Sequence, residues 1–205
     1  SIIKTLLYLQ KDFKMKKWLS VIALGLLSNV ALAGDWSVNN NQSTVSFISI
    51  KKSDIAEVHR FKQVEGTLTE AGNFSLAIDL TSVDTGIAIR DERMQGLLFE
   101  VAQFPKLTLN AAVNPKLLAD LHIGEVMTLQ VDGEIALHGK KQIKSFNVLV
   151  AKLSAKKMVV TSLTPVVVQA GDFDLATGVE KLRDIAGLTS ISLAVPVSFV
   201  ITLSQ

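Results

Sequence analysis

Apolar side chains recur at every second position through most of this chain, and a repeat of two marks an extended strand with one face in a core and one in water. Phe74, Leu76, Ile78 and Leu80 alternate with Ser75, Ala77, Asp79 and Thr81. Met127, Leu129, Val131, Gly133, Ile135 and Leu137 alternate with Thr128, Gln130, Asp132, Glu134, Ala136 and His138. The most regular run sets Ile191, Leu193, Val195, Val197, Phe199, Ile201 and Leu203 against Ser192, Ala194, Pro196, Ser198, Val200, Thr202 and Ser204. Shorter strands are expected over Thr44 to Ile50, Val64 to Thr69, Leu107 to Val113, Phe146 to Leu153 and Met158 to Val168. Pro196 has no amide hydrogen to give a ladder, so it belongs at a bulge or where the pairing is interrupted.

An antiparallel sheet of such strands must cover its apolar face, by rolling into a closed barrel or by stacking as a sandwich. Strands of about ten residues favour a barrel of eight tilted strands, which has room for one small ligand. Periodicity by itself leaves both arrangements open. Turn residues separate the strands at Glu70-Ala71-Gly72-Asn73, Asn114-Pro115, Gly139-Lys140-Lys141 and Gly171-Asp172. Two stretches break the alternation. Ile87 to Leu98 carries Arg90, Met94, Leu97 and Leu98 at helical spacing, and Gly178 to Gly187 reads as a short amphipathic helix with Val179, Leu182 and Ile185 on one face.

The residues before Gly34 follow another logic. Met15-Lys16-Lys17 is a short positive region, Trp18 to Val30 is almost uninterruptedly apolar, and Ala31-Leu32-Ala33 offers the small residues that a signal peptidase reads. The expectation is a cleaved signal peptide over 15–33, upstream residues 1–14 that take no part in the fold, and one domain over 34–205 in the periplasm. The apolar run falls short of the ~20 residues a membrane-spanning helix needs. Taking five Lys and one Asp away with residues 1–33 turns 21 basic and 19 acidic residues into 16 and 18, a net charge of −2. The remaining lysines are scattered apart from pairs such as Lys140-Lys141 and Lys156-Lys157, so a nucleic-acid partner is not supported. With no cysteine, disulfides, thiolate nucleophiles and thiolate metal sites are excluded.

Few residues suggest catalysis. Asp84-Thr85-Gly86 matches the tripeptide of aspartic proteases, but such enzymes need two carboxylates sharing a proton, and the chain has one copy. A strand-to-loop turn is the better reading, with a secreted hydrolase using Asp84 as the competing one. Gly133 to Lys141 fails as a phosphate loop, with five residues between its glycines and Lys141 where a magnesium-binding hydroxyl is required. His59, His122 and His138 lie too far apart in sequence for a zinc site, and each reads as a strand or loop residue, with a pH-sensitive or pocket-polar role as the alternative for His59. No metal or resident cofactor is expected. Eight phenylalanines follow residue 33, and seven of them precede the last strand. Spacing favours a packed core for them over a cavity lining.

The segment Ser82 to Pro105, SVDTGIAIRDERMQGLLFEVAQFP, resembles the hallmark of the YceI-like family. Further matches are His59 and Phe61 with Val64-Glu65-Gly66, the Val131 to Gly139 segment, and Gly171-Asp172-Phe173 before the last strand; together they span Asp35 to Leu203. The resemblance implies an all-β, lipocalin-like, antiparallel eight-stranded β-barrel with short helices. It implies a periplasmic, non-enzymatic protein that binds, transports or stores a long-chain isoprenoid lipid, a polyprenyl chain or an isoprenoid quinone. Phe47, Phe61, Met94, Leu98, Phe99, Phe104 and Phe146 are then expected to face the lipid. His59, Arg90 and Asp91 are expected to anchor a lid over the mouth, held by charge-assisted hydrogen bonds. Gly96-Leu97-Leu98-Phe99 departs from the family's more polar stretch at this point, which leaves the ligand's shape there undefined. A carrier of this kind implies transient contact with a membrane or a membrane redox protein; homodimer formation stays open.

Overall fold

Among the described residues twelve strands follow one another: β1 (Trp36–Val38), β2 (Thr44–Lys51), β3 (Ile55–Phe61), β4 (Val64–Leu68), β5 (Asn73–Asp79), β6 (Val83–Asp84), β7 (Lys106–Ala112), β8 (Val126–Leu137), β9 (Lys140–Ser154), β10 (Lys157–Ser162), β11 (Val166–Gln169) and β12 (Ala194–Ser204). The structure, a computed structural model, describes residues 34–205; the expected signal peptide and the residues upstream of it lie outside the described residues.

The twelve pieces make eight wall positions. β1 and β2 both pair with β12, through Val38 opposite Leu203 and Thr44 opposite Val200, and a turn of 3-10 helix at Asn40–Gln42 kinks them into one broken strand. β4 pairs with β1 and β3 with β2, so they form the next broken strand. β5 pairs with β4 and β6 with β3, with a second 3-10 turn, Leu80–Ser82, between them. β7, β8 and β9 continue in order, β10 and β11 share the edge of β12, and β12 closes the ring on β1. All pairs are antiparallel, and chain neighbours are sheet neighbours, so the expected eight-stranded barrel is the observed fold.

Polar groups released at the first kink are met locally. The Thr202 hydroxyl donates to the Gln42 carbonyl at 2.7 Å, Thr202 N–H donates to Ser43 Oγ at 3.0 Å, and Val64 N–H donates to Asn40 Oδ1 at 2.8 Å. Such pairing is what permits a break in a buried ladder.

Several boundaries differ from the sequence reading, among them the start of β9, at Lys140 rather than Phe146, so that Lys140 and Lys141 of the expected turn belong to the strand. β3 lies where no strand was expected. β1 is a further strand, too short to show a period. The run expected over Met158 to Val168 divides at Leu163-Thr164-Pro165 into β10 and β11. The last strand begins at Ala194, and Ile191 makes only an isolated bridge to Lys51. Pro196 sits opposite Val167 of β11, while the ladder to β2 starts only at Val197, so the proline marks an interruption on that side.

Among the described residues, three α-helices complete the fold. α1 (Ala88–Arg93) runs straight into a π-helical turn, Met94–Leu98, and fills the connection from β6 to β7. α2 (Pro115–Asp120) joins β7 to β8; Asn114 caps it by accepting from Lys116 N–H at 3.0 Å, and proline occupies the first turn, where no amide hydrogen is missed. The Asn114-Pro115 pair read as a turn is therefore a helix start. α3 (Ala176–Ile185) joins β11 to β12 and packs on the π-helical turn. Gly178 makes that contact: a Cβ there would lie 2.8 Å from the Leu97 carbonyl oxygen and 2.9 Å from Leu98 Cα. α2 lies by the end of β7 and the start of β8; α1 and α3 cover the opposite end, toward which the β2–β3 and β8–β9 turns point. The β8–β9 turn is a two-residue loop with positive φ at both His138 (50°) and Gly139 (73°), the twist that suits a tight hairpin.

Candidate functional site

The inward side chains do not meet at the barrel axis. Leu76, Leu109, Val131, Val148, Met158 and Ile201 line a cavity of about 520 Å³ that extends from Leu118 of α2 to Leu182 of α3. That volume falls in the range of small-molecule sites, roughly 300–1,000 Å³. The lining is apolar with six exceptions, Ser49, Lys51, His59, Arg90, Arg93 and Ser192. Ser192 N–H donates to the Ile50 carbonyl, and Arg90 bonds Glu57 of β3, so the polar residues gather where β2 and β3 meet α1 and the 190–192 segment.

Six of the seven residues expected at the ligand surface, Phe47, Phe61, Met94, Leu98, Phe99 and Phe146, line the cavity. Their rings contact each other in tilted pairs, Phe47 to Phe61 at 5.3 Å between centroids and Phe61 to Phe99 at 6.0 Å. Phe104 does not line it, which corrects the expectation. The chain leaves the π-helical turn at Phe99 and crosses the rim, so Phe104 packs on the His138 ring at 4.6 Å instead. His138 is held there by Glu100 Oε2, 2.8 Å from its Nε2.

The three expected anchors have distinct places. Asp91 accepts from Thr85 N–H at 2.9 Å and from the Thr85 hydroxyl at 2.5 Å, fastening α1 to the strand end, and does not line the cavity. Arg90 donates through Nη2 to the Thr85 carbonyl and through Nη1 to Glu57 Oε2, both at 2.6 Å, and lines the cavity. His59 lies in the wall, 4% exposed, with its ring 5.3 Å from Phe47 and Nε2 3.0 Å from Ser49 Oγ.

Glu57, Lys51 and Ser49 were missed by sequence reasoning. Lys51 donates to Glu57 Oε2 at 2.5 Å. That hydrogen bond, with the guanidinium of Arg90, holds the Glu57 carboxyl below its ordinary range. Burial drives the His59 imidazole below its ordinary value, helped by the positive charge of Arg90. The sequence signal was present: Glu57 and His59 share the inward phase of Phe61, so two polar residues occupy the face where apolar ones are expected.

Asp84 belongs to the outside of this site. It pairs with Arg60 at 3.1 Å and accepts from Gly86 N–H at 3.2 Å; that backbone hydrogen bond, then Arg60, keep its carboxyl below the usual range. A carboxylate held ionised by a guanidinium is poorly suited to share a proton with a second acid. Gly86 has φ +76°, so the Asp84-Thr85-Gly86 tripeptide forms the turn that ends β6.

The YceI-like domain model matches residues 36–203. Among solved structures, the chain is similar to a polyisoprenoid binding domain from Saccharophagus degradans implicated in plant cell wall breakdown, with a TM-score of 0.81 and 36% identity, over 83% of this chain and 98% of that one. It shares its fold with BcnA of Burkholderia cenocepacia, at a TM-score of 0.63 and 19% identity over 80% of this chain and 98% of that one. The Campylobacter jejuni YCEI protein gives 0.53 and 12%, over 72% and 84%. A search of curated proteins found no match.

Proposed function

This chain belongs to the YceI-like domain family, and we propose that it binds a long-chain isoprenoid lipid, a polyprenyl chain or an isoprenoid quinone, inside its barrel and carries or stores it in the periplasm. One observation carries the reading: a closed sheet surrounds about 520 Å³ whose lining is apolar except at one end. Such a space shields a hydrocarbon from water, and each CH₂ buried in it contributes roughly 0.8 kcal/mol, so a chain of several isoprene units binds without polar recognition along its length. The polyisoprenoid binding by the 36% identical Saccharophagus degradans domain supports the same ligand class. The periplasmic location rests on the signal-like sequence before Gly34. Ile87 and Ile89, half exposed yet lining the cavity, support contact with a membrane from which a lipid could be drawn.

Mass spectrometry of an organic extract of the purified protein tests this. A co-purified prenyl lipid, and rebinding of a prenyl probe by the extracted protein, are the expected results. An extract without lipid, together with no binding of any prenyl probe, would overturn the reading.

A further inference from the structure

Among the described residues, the cavity opens to solvent at one end. Four of its lining residues are exposed, Ile87, Ile89, Arg93 and Ala186, and all four stand on α1, at its N-cap or directly after α3. At the α2 end none of Ala111, Val113 and Leu118 is exposed. Two further isoleucines stand beside the mouth. Ile55 is on the first rung of β3, opposite the lining residue Lys51, and Ile185 immediately precedes Ala186. Ile55, Ile87, Ile89 and Ile185 are each about half exposed. A single exposed apolar side chain needs no explanation, whereas four at one opening mark a surface that meets something apolar.

Each of the three segments that carry these isoleucines is electrically neutral. Lys51 and Lys52 are matched by Asp54 and Glu57 at the turn end of the β2–β3 hairpin, Arg90 and Arg93 by Asp91 and Glu92 on α1, and Lys181 and Arg183 by Glu180 and Asp184 on α3. Such a rim has no net field to steer a strongly charged partner. Ile87 and Ile89 belong to the cavity lining and to the surface at once, so whatever covers them touches the hydrocarbon as it enters. A bilayer offers that hydrocarbon phase. We propose that Ile55, Ile87, Ile89 and Ile185 dock the mouth of the barrel on a neutral phospholipid bilayer, so that the lipid passes between membrane and cavity without crossing water. Docking is by insertion of apolar tips into the interface, and it depends little on anionic lipid or on salt. The inference rests on the lipid-binding reading above and adds how the mouth meets its source.

Lipid-extracted protein, purified as the cell exports it, is floated with phosphatidylcholine vesicles and with vesicles containing phosphatidylglycerol, at low and at high salt. The wild type should bind both equally, with no loss in high salt. Ile55→Thr combined with Ile185→Gln, both outside the cavity lining, should weaken vesicle binding about tenfold, the effect of leaving two half-exposed isoleucines out of the hydrocarbon. Uptake of a fluorescent prenyl probe from phosphatidylcholine vesicles should slow to the same extent, while the affinity for that probe in the absence of vesicles is measured on the same proteins as the control. Ile89→Gln makes the vesicle comparison should the double variant fail to fold. Binding confined to phosphatidylglycerol vesicles and lost in high salt, or vesicle binding unchanged in the folded variants, overturns the docking surface. So does a wild type that sediments as a dimer, ignores vesicles and becomes monomeric in the double variant, because the rim then covers a second copy. A wild type that binds the prenyl probe but no vesicle rejects docking while the lipid reading stands; binding of no probe removes both.

Discussion

His59 shows how one residue can answer to two demands. In the wall of a barrel it should be apolar, and its burial against Phe47 penalises the charged imidazole. Its pKa in the folded chain is accordingly below the ordinary 6.5. The sign of the linkage follows: between the ordinary and the lowered value the unfolded chain binds a proton that the folded chain refuses, so stability is full above about 6.5 and falls as pH drops through this window. The lowered carboxyl of Glu57 acts in the same direction, but in a window that opens only below 4.5. Urea unfolding at pH 7.5, 6.0 and 5.0 should show a midpoint that declines in the wild type and declines less in His59→Phe. Parallel declines would assign the acid sensitivity to other groups.

At the scale of elements, legibility in the sequence tracked the physics of each strand. β8 and β12 carry a clean repeat of two in their residue types and were legible, whereas of β9 only the half from Phe146 onward was, its first residues having read as a turn. β3 was not: Val58 points outward at 70% exposure, while His59 lines the cavity and Glu57, two residues before it in the same phase, bonds the lining residues Lys51 and Arg90, so polarity is inverted over the stretch that builds the polar end of the site. A strand that breaks the hydrophobic rule does so at a place of function. The distinction between barrel and sandwich was also hidden, because closure depends on Ser37 and Val38 reaching Ser204 and Leu203 from a strand of three residues, too short to carry a period. The helices were visible in outline, yet the π-helical turn and its contact with Gly178 follow from tertiary packing. That contact gives a prediction of definite sign. Ala normally exceeds Gly in a helix by about 1 kcal/mol. Here the new methyl would strike backbone atoms of Leu97 and Leu98, which cannot swing away as a side chain could. Gly178→Ala should therefore destabilise, by about 1–2 kcal/mol, and lower the melting temperature by several degrees. A higher melting temperature would mean that α3 slides freely over the turn.

The molecule as a whole is a sheet whose apolar face is covered without being filled. An ordinary core packs at crystal-like density, and an added methylene there forces side chains off their rotamers at about 1–3 kcal/mol. A hollow barrel should respond differently, because the space that a larger side chain needs already exists and its burial is favourable. Val131, on the inward face of β8 and in the cavity lining, is the position at which to ask. Val131→Phe should leave the melting temperature of the lipid-extracted protein unchanged or raise it. The same substitution takes room from the ligand, so the longest prenyl chain bound with full affinity should shorten, with a loss of roughly 0.8 kcal/mol for each CH₂ left outside. Calorimetry over a series of chain lengths should show a negative heat-capacity change of binding that shrinks in parallel with the buried hydrocarbon. A fall of several degrees in the extracted protein, with no change in the chain lengths accepted, would instead describe a solid interior whose ligand lies elsewhere.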